Sequence, residues 1–463
     1  MVRNKLLRSN NPGSVMALVL FAIILLLLSG IGVLSLGQNT RIFSIRTAAE
    51  ITARCAADDG ITKALWQLNW NLEDGWAGHA LPFEDNTVLT NCNGATYSYI
   101  VIKSGDYYDG AMPSGDAGLI DFVARAYPTK APGNGDYVVR SIGRYNGAEK
   151  VIYATLRLRG AGDECVIVRD ALTLKAGTYV DGRDSRDPTN LNPDVLTEIG
   201  TTSADAAKVT LNNGVTVDGN ILVGVDGDPA QVIKDLGAVV TGDKYAMIEE
   251  PEFPYVDIPD GLPDRRPKNI EIGNKDDPNL YIDESWNGIY NMIDLDTGAV
   301  GQERPENLII KTGNNVVLYL TNTGTGVSKA SISLGRDCGI IIEDGATLNL
   351  YVAGNILSNT GSGFNNLGTP PQLKLWGNWT ESTTTTGFCQ NWQLNAKSEY
   401  FGQIYAPAAS VQVNNSGDLY GAFTAYEFTM MNGANLYYDG ALREVDPTKD
   451  PLVRFVLKRW YEQ

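Results

Sequence analysis

The stretch "NNPGSVMALVLFAIILLLLSGIGVLSLGQNTR", residues 10–41, governs the reading of everything after it. From Val15 to Gly37 it carries no charge, and only the small residues Ser29, Gly30, Gly32 and Ser35 interrupt its apolar run. That length crosses a bilayer as one helix. It exceeds the apolar region of an ordinary secretory signal, and no small-x-small cleavage site follows it. Arg3, Lys5 and Arg8 precede it, which fits a cytoplasmic N-terminus in the inner membrane with everything after Gly37 exported.

Working outward, the 463 residues carry a net charge of −17. The first twelve contribute +3, so the remainder carries −20. Such a surface repels polyanions, and nucleic acid is excluded as a partner. With 43% hydrophobic and 20% charged residues the chain is a folded protein, long enough for two or three domains. Cys55, Cys92, Cys165, Cys338 and Cys389 contain no C-x-x-C pair, so no zinc site is expected. Export permits disulfides, with Cys55–Cys92 and Cys338–Cys389 as candidate pairs; buried free thiols are the alternative.

From Thr40 to Leu72 the pattern becomes amphipathic. Ile42, Ile45, Ala49, Thr52 and Ala56 follow three-and-four spacing, and Ile61, Leu65, Leu68 and Leu72 continue it after a shift. Proline is absent from Ser14 to Leu72, so the spacing predicts one helix of about 85–90 Å. A break near Gly37-Gln38-Asn39 is the alternative.

The basic leader ending in Gly13, the uncharged run and the continuation "RTAAEITARCAADDGITKALWQL" together resemble type IV pilin-like proteins, in particular the PilX-like minor pilin or pilus-assembly group. The matching residues are Ala53, Ala56, Ala57, Asp58, Asp59, Gly60, Ile61, Ala64 and Leu65. The resemblance implies cleavage by a prepilin peptidase between Gly13 and Ser14. It also implies a helix that waits in the membrane and then packs against other pilins or pseudopilins in a filament core. Leu18, Phe21, Leu25, Gly30 and Gly32 are the candidates for that packing and for membrane contact. Leu18 occupies the fifth mature position, where most pilins have glutamate, so a low-copy subunit near the filament tip is expected. Either a pilus or a type II secretion filament fits.

Residues 73–159 read as a small antiparallel sheet packed on the helix. "TYSYIVIK" (96–103), "IDFVARAYP" (120–128), "DYVVRSIGRY" (136–145) and "KVIYATLRLR" (150–159) alternate apolar and polar residues, and Asn146-Gly147 signals a hairpin. His79, the single histidine, falls between helix and sheet and reads as a surface loop residue.

From Gly160 onward no helical period is sustained. "NGVTVDGNI" is echoed by "DGATLNLYVAGNI" and "NGANLYY", which suggests a β-solenoid of about ten coils over 160–463, closed by a C-terminal strand. A β-sandwich is the competing fold. The Pro-rich acidic stretch 249–269 reads as an excursion across the solenoid. "GQIYAPAASV" and "VLKRWYE" extend the PilX-like resemblance to this half. The fold class expected is thus α+β and mainly β: leader 1–13, helix 14–72 (membrane half 14–37, amphipathic half 40–72), sheet 73–159, solenoid 160–463.

Solenoids include polysaccharide-cleaving enzymes, so paired carboxylates count as candidates: Asp181/Asp184/Asp187, Asp226/Asp228 and Asp294/Asp296. All lie beside turn-forming residues and read as turn stabilisers. Asp226-Gly227-Asp228 and Asp294-Leu295-Asp296 resemble calcium-binding stretches but do not continue as EF-hand loops. The expectation is a non-enzymatic structural protein without metal or cofactor, its head exposed at the cell surface for adhesion. The alternative is an anchored polysaccharide-binding or polysaccharide-cleaving protein, with Trp376, Trp379, Trp392 and Tyr400 stacking on sugars as a glycan ligand site.

Overall fold

The computed structural model describes residues 12–74, 79–90, 94–103, 123, 137–187, 195–247, 250–272, 277–295, 305–323, 330–365, 368–378, 389–395, 397–443 and 452–462. They form two compact units, Met1–Arg157 with Phe455–Gln463, and Leu158–Arg454.

In the first unit, nothing between Pro12 and Glu73 breaks a helix, and 62 residues run as one. At 1.5 Å per residue that is about 90 Å. Pro12 occupies the first turn, where its missing N–H has no helical partner to lose. No break occurs at Gly37-Gln38-Asn39; the Thr40 hydroxyl donates to Leu36 O across that stretch at 2.9 Å. The lower half exposes apolar side chains, Leu26 at 71% and Val33 at 72% among them. The upper half buries Ala49, Ala53, Ala56, Ala57, Ile61, Ala64 and Leu68.

What they bury against is a sheet of five strands, ordered Phe83–Val88, Thr96–Lys103, Tyr137–Tyr145, Ala148–Arg159 and Arg454–Glu462. The middle three pair antiparallel in uninterrupted register. Asn146 and Gly147 turn the hairpin with φ of 46° and 79°, the double positive-φ signature of a type I′ turn. Helix and sheet approach to backbone contact: a Cβ at Gly143 would lie 1.9 Å from Ala53 O, and one at Gly60 would lie 2.1 Å from Ser141 Oγ. The small residues of the helix are what make this approach sterically allowed. The expected strand 120–128 lies outside the described residues except Val123.

Two strands differ from the sequence reading. Phe83–Val88 alternates too weakly to be noticed. The closing strand belongs here rather than to the second unit: Asn69 accepts from Phe455 N at 2.7 Å and donates to Phe455 O at 3.2 Å, tying it to the helix. The second unit is therefore inserted, in chain order, before the last strand of the first.

In the second unit, short strands with inward residues alternating with outward ones are separated by Asn, Asp and Gly turns. All pairings among its described strands are parallel, and most strands pair with the strand three places on: Asn279–Ile282 with Asn307–Ile310, and that with Gly339–Ile342. Nine successive pairings link ten rungs: Lys244–Ala246, Asn220–Val223, Glu198–Thr201, Val166–Val168, Asp418–Met430, Glu399–Val413, Leu373–Gly377, Thr347–Val352, Asn315–Leu320 and Gly288–Tyr290. One apolar cluster from Cys165 to Leu442 fills the inward side.

The order of those rungs is not the order of the chain. The first strands, Val166–Val168 and Leu172–Leu174, pair with the late strand Asp418–Met430. From there the chain winds to Lys244–Ala246, and residues 250–264 carry it to the opposite end of the rungs. Phe253, Val256 and Ile258 of this strap pack on Tyr351, Trp376 and Tyr405. The Tyr405 hydroxyl donates to Pro254 O at 2.9 Å, and at the far end Ile289 N donates to Pro263 O at 2.9 Å. The Pro-rich excursion is thus a staple across one outer face.

The proposed disulfides do not form. None of Cys55, Cys165, Cys338 and Cys389 is in a disulfide, and Cys92 lies outside the described residues. Cys338 is buried, and its thiol bonds to Leu295 O at 3.0 Å.

Candidate functional site

The helix carries the first group of candidates. Gly13 and Ser14 lie in its first turn, and the side chain of Leu18 is outside the described residues. Phe21 and Leu25 are exposed at 63% and 51%, and Cβ atoms at Gly30 or Gly32 would meet nothing within 4 Å. Among the described residues, Phe21, Leu25, Gly30 and Gly32 therefore pack against no other element. The geometry leaves this surface for lipid or for another helix.

The aromatic candidates require a correction. Trp376, Trp392 and Tyr400 are buried, at 0%, 1% and 0% exposure, and offer no ring face to a sugar. Trp392 lies in an inward column between Ile356 and Val411, its indole N–H donating to Gly354 O at 3.1 Å. Tyr400 lies inward between Phe364 and Leu419, its hydroxyl donating to Gln403 O at 3.1 Å; burial pushes that phenol well above its usual range. Trp376 faces outward but is roofed by the strap. Trp379 lies outside the described residues. Aromatic density in the sequence reflected packing in these three cases.

A different aromatic row was missed. Phe401, Tyr420 and Tyr437 lie half-buried on one outer face in successive rungs. Their rings stack at 4.2 Å and 5.0 Å, with interplanar angles of 17° and 15°. Arg183 lies over Tyr420 at 4.8 Å, and Tyr179 approaches Tyr437 at 6.1 Å. Tyr179 also donates to Asp181 at 2.8 Å, a bond that pushes its phenol up to about 12. The signal was present as a core residue followed by an outward ring in "YFG", "LYG" and "LYY". Tyr420, stacked on both Phe401 and Tyr437, has no ring face open to a ligand. The row acts as a ladder joining the late rungs to Tyr179 and Arg183.

Three of the candidate carboxylates, Asp181, Asp184 and Asp228, are engaged in turns. Asp181 accepts from Gly182 N at 2.7 Å. Asp184 accepts from Arg186 N at 3.0 Å and from its guanidinium, which holds its carboxyl below the usual range. Asp228 caps a helical turn by accepting from Ala230 N at 2.9 Å. Asp294 is on an outward strand position, and Asp296 lies outside the described residues. His79 is exposed, with its Nε2 3.4 Å from Asp74. Among the described residues, no group of three or more His, Cys, Asp or Glu side chains is placed to hold a metal ion.

A sequence family described as a domain of unknown function, DUF7305, matches residues 324–445, which lie within the second unit. No relative is found among curated sequences. Among solved structures, the chain is similar to the competence-associated pilin ComZ from Thermus thermophilus. Identity is 15% and the TM-score 0.30, with 90% of this chain and 97% of that one covered. It is also similar to an ice-binding protein from the Antarctic ascomycete Antarctomyces psychrotrophicus, at 10% identity and TM-score 0.22, covering 60% and 96%. A third similarity is to the DUF3494 domain of a Shewanella frigidimarina ice-binding protein, at 12% identity and TM-score 0.21, covering 60% and 94%. At these scores none of them assigns an activity to this chain.

Proposed function

We propose that this chain is a pilin-like structural subunit of the PilX-like kind. Its helix is held in the inner membrane with a cytoplasmic N-terminus before it joins a filament, and its second unit is displayed outside the cell. The observation that carries this reading is the unbroken helix Pro12–Glu73, apolar and exposed below, docked on an antiparallel sheet above. A simple anchor needs only about 20 residues; a rigid extension whose closest approaches to the sheet are at Ala53, Ala57 and Gly60 serves packing as well as anchorage. In this reading the parallel strands of the second unit close on themselves as a three-sided β-solenoid. The three-strand pairing interval and the single interior cluster support that closure. We read the role as structural rather than catalytic; the engagement of Asp181, Asp184 and Asp228 in turns supports that reading.

Prepilin peptidase is the processing enzyme in this account. Gly13→Val places a branched side chain at the cleavage position. Full-length precursor is then expected to accumulate in the inner membrane, detected by immunoblot; processing at the wild-type rate would overturn the assignment.

A further inference from the structure

Above residue 52 the helix turns one face to the sheet through Ala53, Ala56, Ala57, Gly60, Ala64 and Leu68. Trp66 and Trp70 are each two residues, about 200°, from Ala64 and Leu68, so they project away from the sheet. They are 51% and 52% exposed, although large aromatic side chains such as tryptophan dominate the energetics of burial. The two rings stack at 5.8 Å with an interplanar angle of 25°, and the Lys63 ammonium lies 3.9 Å over Trp66. The result is an ordered apolar surface of the kind that dominates protein interfaces, already held in place before any partner arrives.

We propose that Trp66 and Trp70 dock the extracytoplasmic part of a neighbouring filament subunit. The proposal rests on the helix-packing reading above. Continuity with that packing surface identifies the occupant. The exposed apolar stretch Met16–Ile51 is about 50 Å long, and the helix above it about 30 Å. A neighbour lying along the lower stretch with an axial offset under about 30 Å brings its own sheet-bearing part level with the Trp66–Trp70 face. Lipid is not the occupant, because the patch begins about 40 Å beyond Gly37.

The test uses the full chain in the cells that assemble the filament. Cys55 is an exposed free thiol eleven residues, three turns, before Trp66 and nearly on the same face. In a Cys92→Ser background, Cys55 is loaded with benzophenone-maleimide, illuminated, and the adduct identified by mass spectrometry. The expected adduct is to a subunit with its own N-terminal apolar helix. Trp66→Ala/Trp70→Ala should reduce it at least about tenfold while leaving the thermal midpoint unchanged. Ile42→Cys in a Cys55→Ser/Cys92→Ser background, loaded in the same way, reports helix packing separately. An Ile42→Cys adduct with a Cys55 adduct that is absent, purely intramolecular or insensitive to the tryptophan substitutions overturns the docking patch alone. Loss of both adducts overturns the helix-packing reading and the patch with it.

Discussion

Adding a single methyl group in Gly143→Ala is expected to loosen the first unit, lowering its thermal midpoint by about 2–12 °C. Gly143 pairs with Tyr97 and Lys150 in the middle of the sheet, so the strand cannot move without breaking register. The new Cβ would lie 1.9 Å from Ala53 O and 2.5 Å from Ala57 N, both backbone atoms of the helix. No rotamer change relieves such a clash; the helix must lift off Ala53, Ala56 and Ala57, all at 0% exposure. Overpacking of this kind costs about 1–3 kcal/mol or more, equivalent to roughly 2–4 °C per kcal/mol for a unit of this size. Gly30→Ala is the control, because nothing lies within 4 Å of that site. Differential scanning calorimetry of the full chain in detergent makes the comparison, and equal midpoints for the two variants would show that the contact is not tight.

Much of this arrangement was legible in the sequence, and the reasons are physical. The helix is legible because hydrophobic spacing and absent proline are local properties, and so are the Asn146-Gly147 hairpin and the strand cores at 96–103 and 137–145. The closing strand Arg454–Glu462 was assigned to the wrong unit because its sheet neighbours lie about 300 residues earlier, a distance no local pattern records. The order of rungs was hidden for the same reason. Nothing in "CVIVRDALTLK" announces that Val166–Val168 pairs with Phe423–Ala425. For the candidate site, Phe21, Leu25, Gly30 and Gly32 lie on the exposed part of the helix. The rings were not legible, because whether Trp392 points in and Tyr420 out depends on a register that one residue of slip would reverse. The strap was recognised from its prolines, but not that its apolar residues cover Trp376.

The second large effect is expected in the parallel unit. Leu350 is at 0% exposure between Leu318 and Leu375 of the adjoining rungs. Leu350→Asp removes a buried side chain, at about 2–5 kcal/mol, and leaves an unpaired carboxylate at several kcal/mol more. That sum reaches the whole stability of an ordinary domain, so the unit should fail to fold. Leu357→Asp makes the same chemical change seven residues later, on an outward position between Ser333 and Gln393. It should be tolerated. Limited proteolysis of the full chain reads the difference: a resistant fragment spanning the second unit for Leu357→Asp and none for Leu350→Asp. Equal resistance would contradict the inward and outward assignment of these rungs.

The central claim is that the N-terminal helix is a processed, filament-packing element, and the identity of the mature N-terminus tests it most directly. Mass spectrometry of the protein recovered from the surface of the cells that make it gives that identity in one spectrum. The expected chain begins at Ser14, with the leader ending in Gly13 removed. A surface-recovered chain that retains Met1, or that begins beyond Gly37, would contradict it.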